Sequence, residues 1–262
     1  MRKIYVTLIA LMATLAVNAQ TSNEYVDLEL PSGTLWATCN LGAEAPEELG
    51  DYYAWGETEP NKEKFNWGDY KWCNGSATTL TKYCLFYEFG TPDHKQVLDK
   101  KDDAAISNLG KEWCMPTDRQ ISELINKNNT TTEFTTLNGV NGILLTSKKN
   151  GNSIFLPAAG SVANGVRLGK GLDGCYWSTS GCNGSADALK FYVDTKMIVN
   201  AGQLCDWGVS IRPVRSKKAV TTSINGVVAN QEAAKDGKYI IDGRLVIVKD
   251  GKQYNAQGIN TK

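Results

Sequence analysis

The chain has 262 residues, 42% hydrophobic and 21% charged, enough apolar material for a folded core and too much for wholesale disorder. Lys+Arg and Asp+Glu both number 28, which excludes a global field that would recruit nucleic acid or an anionic membrane. The single histidine, His94, excludes any site built on two or more His ligands in one subunit.

Residues 1–19 read as an address. Arg2-Lys3 is a basic start, Ile4 to Val17 is nearly all apolar, and Val17-Asn18-Ala19 offers small residues for cleavage before Gln20, the form of a secretory signal peptide. No cysteine follows the cleavage point, which argues against a lipid anchor, and no later stretch is apolar enough to span a bilayer. Removing Arg2 and Lys3 leaves 26 basic against 28 acidic residues.

Residues 24–215 follow as one continuous domain with no linker-like gap. Short apolar segments broken by Gly, Asn and Asp read as strands: Leu35–Thr38, Tyr52–Trp55, Gly142–Thr146, Ser153–Leu156, Leu189–Val193 and Val209–Ile211. Two short helices stand among them. Asp102–Leu109 starts with acids and ends at Gly110. The second opens on a Thr117-x-x-Gln120 capping box and runs to about Asn126, with Ile121, Leu124 and Ile125 on one face. Two helices among many short strands make an α+β domain. A polar linker, residues 216–236, leads to a C-terminal β tail, residues 237–262. There Gly237–Ile241 meets Arg244–Val248 across Asp242-Gly243, a favoured hairpin turn, with a second Asp-Gly at Asp250-Gly251. That hairpin or meander has too little apolar surface to be stable alone.

Export gives the cysteines meaning. Cys39, Cys73, Cys84, Cys114, Cys175, Cys182 and Cys205 are seven, so in an oxidising compartment some pair and at least one is left over. Cys73/Cys84 and Cys175/Cys182 are the bridges that close spacing suggests, and no tight C-x-x-C pair points to zinc.

No catalytic constellation emerges. Asp102-Asp103 with Asp99 offers oxygen ligands to a hard cation, but helix capping explains it better. Asp93-His94 lacks an activated Ser or Cys beside it. Glu47-Glu48 and Glu57-x-Glu59 are neighbouring carboxylates in loops rather than an opposed pair. Gly169-x-Gly171 lacks the strand-turn-helix context of a phosphate cradle. What remains is the aromatic and polar stretch from Cys175 to Val214. Trp177 reads as core. Asn183, Asp187, Asn200, Gln203 and Asp206 are polar with no apolar run demanding their burial, and Trp207 offers a flat surface for a sugar or protein contact. These six residues are the expected ligand-binding site, with Asp206 and Trp207 removable at little cost to stability. The metal at this site is left unassigned, with calcium as the one ion to test.

Several long segments carry a resemblance. Leu30–Ala43 (LPSGTLWATCNLGA), Gly50–Thr58 (GDYYAWGET), Thr81–Cys84, Asp102–Ala105, Trp113–Thr117 (WCMPT) and Ile154–Gly160 (IFLPAAG) resemble, in order, the major paralogous domain family named for Fibrobacter succinogenes. The resemblance covers roughly residues 25–215 and implies a C-type-lectin-like fold related to that of formylglycine-generating enzymes. Met115-Pro116-Thr117 and Arg212-Pro213-Val214 match the shared landmarks, whereas Cys114 stands where many relatives carry Arg. Cys175 and Cys182 do not reproduce the reactive cysteine context of those enzymes, so enzymatic function is not carried over. The resemblance also points to the segment between Trp177 and Trp207 as the variable ligand face. The tail resembles the short sorting tails of exported Bacteroidetes proteins, and export machinery is its implied partner. The expectation is therefore a secreted or surface-exposed, non-enzymatic protein that binds a glycan or protein ligand through loops. A formylglycine-generating type of enzyme and a structural surface or fimbria-associated part are the alternatives.

Overall fold

The computed structural model describes residues 24–217, 237–241, 244–249 and 252–254. The leader and nearly all of the expected linker lie outside the described residues. The chain divides into two compact units, residues 1–217 and 218–262.

The described part of the first unit is mostly small β-sheets with two short α-helices and one turn of 3-10 helix at Lys100–Asp102, so the first α-helix starts after Asp103 rather than at Asp102. In chain order it holds β1 (Tyr25–Asp27), β2 (Thr34–Ala37), α1 (Ala104–Leu109), α2 (Asp118–Leu124), β3 (Thr130–Leu137), β4 (Val140–Ser147), β5 (Ser153–Pro157), β6 (Ser161–Ala163), β7 (Val166–Leu168), β8 (Asp173–Cys182), β9 (Ser185–Tyr192), β10 (Met197–Leu204) and β11 (Val214–Ser216). All of its strand pairs are antiparallel, in the orders β1-β2-β11, β3-β4-β5, β6-β7 and β10-β9-β8. In the first sheet β2 pairs with β1 through Trp36↔Val26 and with β11 through Trp36↔Val214, so the two ends of the described part of the unit meet on one strand. Ser216 is part of β11, and Lys217 bonds Asp27 Oδ2 at 2.7 Å, so both belong to this unit rather than to the expected linker.

Local chemistry explains the turns and caps. Asn138-Gly139, Asn164-Gly165 and Asn183-Gly184 sit between paired strands with both residues of each pair at positive φ, as a two-residue type I′ turn requires. The capping box of α2 forms as expected: Thr117 Oγ1 accepts from Gln120 N at 3.2 Å, and Gln120 Oε1 accepts from Thr117 N at 2.8 Å.

Two buried clusters form the core. One gathers Tyr53, Trp55, Tyr70, Tyr83, Met115, Trp177 and Val209, and the other Leu28, Trp36, Ile121, Leu124, Ile143, Leu156, Tyr176, Leu189 and Phe191. Trp177 is fully buried, as read from the sequence. Its indole donates to Tyr53 O at 2.8 Å, while the Trp55 indole donates to Ser178 O at 2.8 Å. These bonds pin a long segment without regular strands onto β8. The expected strands Tyr52–Trp55 and Val209–Ile211 are buried but are not strands. Their backbones are shared among Tyr53–Val209, Trp55–Cys205, Tyr176–Ser210 and Leu41–Ile211 contacts, so no single neighbour builds a ladder.

In the second unit, β12 (Gly237–Ile241), β13 (Arg244–Lys249) and β14 (Lys252–Tyr254) form a three-stranded antiparallel meander in chain order. Ile241 pairs with Arg244, the register that a two-residue turn demands.

Candidate functional site

The six expected site residues are dispersed by the fold rather than gathered on one loop face. Asn183 opens the β8–β9 turn. Its side-chain oxygen accepts from Leu85 N at 2.8 Å and its own N–H donates to Tyr83 O at 2.9 Å, so it docks the turn onto the neighbouring segment. Asp187, Asn200 and Gln203 lie on strands β9 and β10, not in loops. Asn200 donates through Nδ2 to Asp118 Oδ1 and lies 3.4 Å from Ser122 Oγ, tying β10 to α2. Burial and the nearby Asp118 charge raise the Asp187 carboxyl above the usual range.

Asp206 and Trp207 depart furthest from the expectation of an exposed pair. Asp206 is only 4% exposed, because the chain turns inward between Cys205 and Val209 to close the first core cluster. Burial pushes its carboxyl up to about 6, and Oδ1 has no hydrogen-bond partner among the described residues. Trp207 is half-buried and packs against the same cluster. Polarity alone could not foretell this, since the reversal is imposed by the Trp55 N–H bonding Cys205 O and the Tyr53–Val209 pair.

The other motifs are absorbed into structure. Asp103 caps α1, its carboxylate accepting from Ala105 N and Met115 N, each at 2.9 Å, and from Ile106 N at 3.1 Å. Asp102 accepts from Tyr83 Oη at 2.6 Å and from Lys82, which also pairs with Asp99. Asp93 accepts from Cys84 N at 3.0 Å while His94 is exposed, so they form no relay pair. Glu57 is buried against Lys62 and Lys71 N, and Glu47 accepts from Asn138. Among the described residues no group of three or more His, Cys, Asp or Glu side chains is placed to hold a metal ion. No helix among them is long and apolar enough to cross a membrane.

The cysteines also differ from expectation: all seven are free thiols. Cys175 and Cys182 lie on the same strand, β8. Their separation of seven positions is about 20 Å of extended chain, far beyond the roughly 7 Å that a disulfide spans between Cα atoms. Cys73 and Cys84 are likewise unbridged, their thiols directed to Trp67 O and Phe86 O.

The feature that sequence reading missed is a groove of 670 Å³ between the edges of two sheets. Its walls are Thr130, Thr131, Thr132 and Phe134 of β3 and Met197 and Ile198 of β10, with Ile125 at the end of α2. Three exposed lysines, Lys127, Lys148 and Lys196, stand around it. Lys148 Nζ donates to Lys127 O at 2.6 Å, and none of the three ammonium groups has an ion-pair partner among the described residues. Half-buried Phe134 and Ile198 provide an apolar floor. An anionic group with an apolar flank suits this surface. The lysines are widely separated in sequence and belong to three different connections, so no local charge run announced them.

Comparison with protein-family models, with curated proteins and with solved structures returned no match.

Proposed function

We propose that this is an exported, surface-exposed or secreted binding protein without enzymatic activity, built on a C-type-lectin-like scaffold of the major paralogous domain type. The observation that carries the reading is the groove between β3 and β10. It joins an apolar floor, hydroxyls and three ammonium groups without an ion-pair partner among the described residues, an arrangement suited to recognising an anionic ligand. The rigid sheets on either side favour recognition, because they hold the groove walls in place without a ligand. Cysteine placement speaks against the formylglycine-generating alternative, since Cys175 and Cys182 lie seven positions apart on one strand. The leader-like residues 1–19 and the tail support export. The ligand site of this reading is the groove together with neighbouring Asn200, rather than Asp206 and Trp207.

The test is a screen of the mature chain, residues 20–262, on glycan and host-protein arrays with and without calcium. Saturable binding that a Lys127→Glu/Lys196→Glu variant loses is expected. Absence of any ligand, or turnover of one, overturns the reading.

A further inference from the structure

We propose that the free edge of β10 accepts an extended, acidic peptide segment of a partner protein as an added β-strand, with the acidic end of that segment seated on Lys127, Lys148 and Lys196. This rests on the reading of the chain as a binding protein and selects protein rather than glycan as its ligand.

The argument starts from the strand itself. β10 (Met197–Leu204) is paired to β9 along its whole length in unbroken register, and it is the outer strand of its sheet. Its other edge has no strand partner among the described residues, although two β10 carbonyls, Gly202 O and Gln203 O, accept side-chain bonds from Lys190 Nζ and Ser185 Oγ. Outer strands are ordinarily blunted by a charge, a proline, a bulge or shortness, because an open edge invites pairing. The sequence Met197-Ile198-Val199-Asn200-Ala201-Gly202-Gln203-Leu204 has none of these: it is eight residues long, with no charged residue and no proline. Its end residues Met197 and Leu204 are 47% and 45% exposed. The nearby helix does not cover this edge, since α2 packs across β8, β9 and β10 and reaches β10 through the Asn200 side chain.

Charge then chooses the occupant. Lys127, Lys148 and Lys196 outnumber the exposed Asp194 at the N-terminal end of β10, while Asp118 and Asp187 lie beside its middle and far half, where the Lys190 ammonium donates to Gly202 O at 2.7 Å. An incoming strand with acidic residues at one end and small apolar or neutral residues at the other matches this gradient. The facing wall makes β10 the pairing edge rather than β3. The outer strand β3 carries exposed Glu133 at its centre, which repels an acidic strand laid along it.

The test selects phage-displayed random dodecapeptides on the purified chain, counter-selects on the Lys127→Glu/Lys196→Glu variant, and follows bound peptides by amide hydrogen exchange. Both lysines are exposed, so the variant folds as the parent does. Selected peptides are expected to be rich in Asp and Glu at one end and to bind the variant at least about tenfold more weakly. They should slow exchange of amides within 197–204, and lose binding when alternate backbone nitrogens of the peptide are methylated. Peptides that tolerate the methylation, or that protect residues elsewhere, overturn strand addition. A sulfated oligosaccharide that binds the groove while no peptide is enriched overturns this inference and leaves the binding-protein reading standing. No binding to peptides, glycans or proteins overturns both.

Discussion

Arg212 Nε donates to Asn40 Oδ1 at 3.0 Å, joining the closing segment of the first unit to the one that follows β2. Arg212 is 1% exposed and pairs with no carboxylate among the described residues. Its remaining bonds go to the carbonyls of Ala37, Thr38 and Phe155 at 3.1, 2.6 and 2.8 Å. Burial lowers its pKa, yet four neutral acceptors compensate the charge. One side chain thereby fastens the segment before β11 to the end of β2 and to β5.

Arg212→Ala is expected to destabilise the first unit by about 3–5 kcal/mol, because it opens a cavity and strands several buried acceptors. Lysine cannot restore the fork, so Arg212→Lys should recover little of the loss. Urea unfolding followed by Trp fluorescence measures both, and a parent-like midpoint for the alanine variant would refute the fastening role.

The two tryptophans of the aromatic stretch should separate. Trp177 is fully buried and its indole is hydrogen-bonded, so Trp177→Ala should cost about 3–5 kcal/mol. Trp207 is half-buried, and Trp207→Ala should cost clearly less, by the area it leaves in water. Equal losses in denaturant melts would show that the Cys205–Val209 turn depends on Trp207 as much as the core depends on Trp177.

Asp206 makes stability depend on pH in an unusual direction. Its carboxyl titrates near about 6 in the folded chain and near about 3.9 in the unfolded chain. Between these values the folded state holds the extra proton, so stability contributed by this group falls as pH rises from about 4 to 6 and stays lost above. Asp206→Asn should therefore raise stability at pH 7.5 by about 1–3 kcal/mol and flatten that part of the profile. Melting temperatures from pH 4 to 8 for parent and variant decide it. An asparagine variant less stable than the parent at pH 7.5 would contradict the burial penalty.

The thiols should be countable. Denatured without reductant, each chain is expected to yield seven equivalents with a disulfide-exchange reagent. In the native state reaction should be slow, since burial pushes the Cys175 thiol up to about 12 and Cys114 up to about 11, leaving little thiolate at neutral pH. Half-buried Cys73 and Cys182 should react before the others. A count of five or three in denaturant would reveal bridges formed after export.

The amino-acid sequence by itself determined the elements whose causes are local. The Thr117–Gln120 box starts α2, and Ile241 pairs with Arg244 in the register that the intervening Asp-Gly pair predicts, because each signal acts over a few residues. Trp177, read as core from the sequence, is fully buried. The tertiary structure decided everything that needed residues distant in sequence. Tyr52–Trp55 has a strand's composition, but its backbone partners come from separate segments, so it is buried without a ladder. Asp206 has a loop residue's polarity, but bonds from Tyr53 and Trp55 to Val209 and Cys205 draw its turn inward. Lys127, Lys148 and Lys196 carry no common local pattern, and only the meeting of two sheet edges sets their charges around one groove. Local rules act through neighbouring backbone and side-chain geometry, whereas burial and charge clustering are properties of the packed chain.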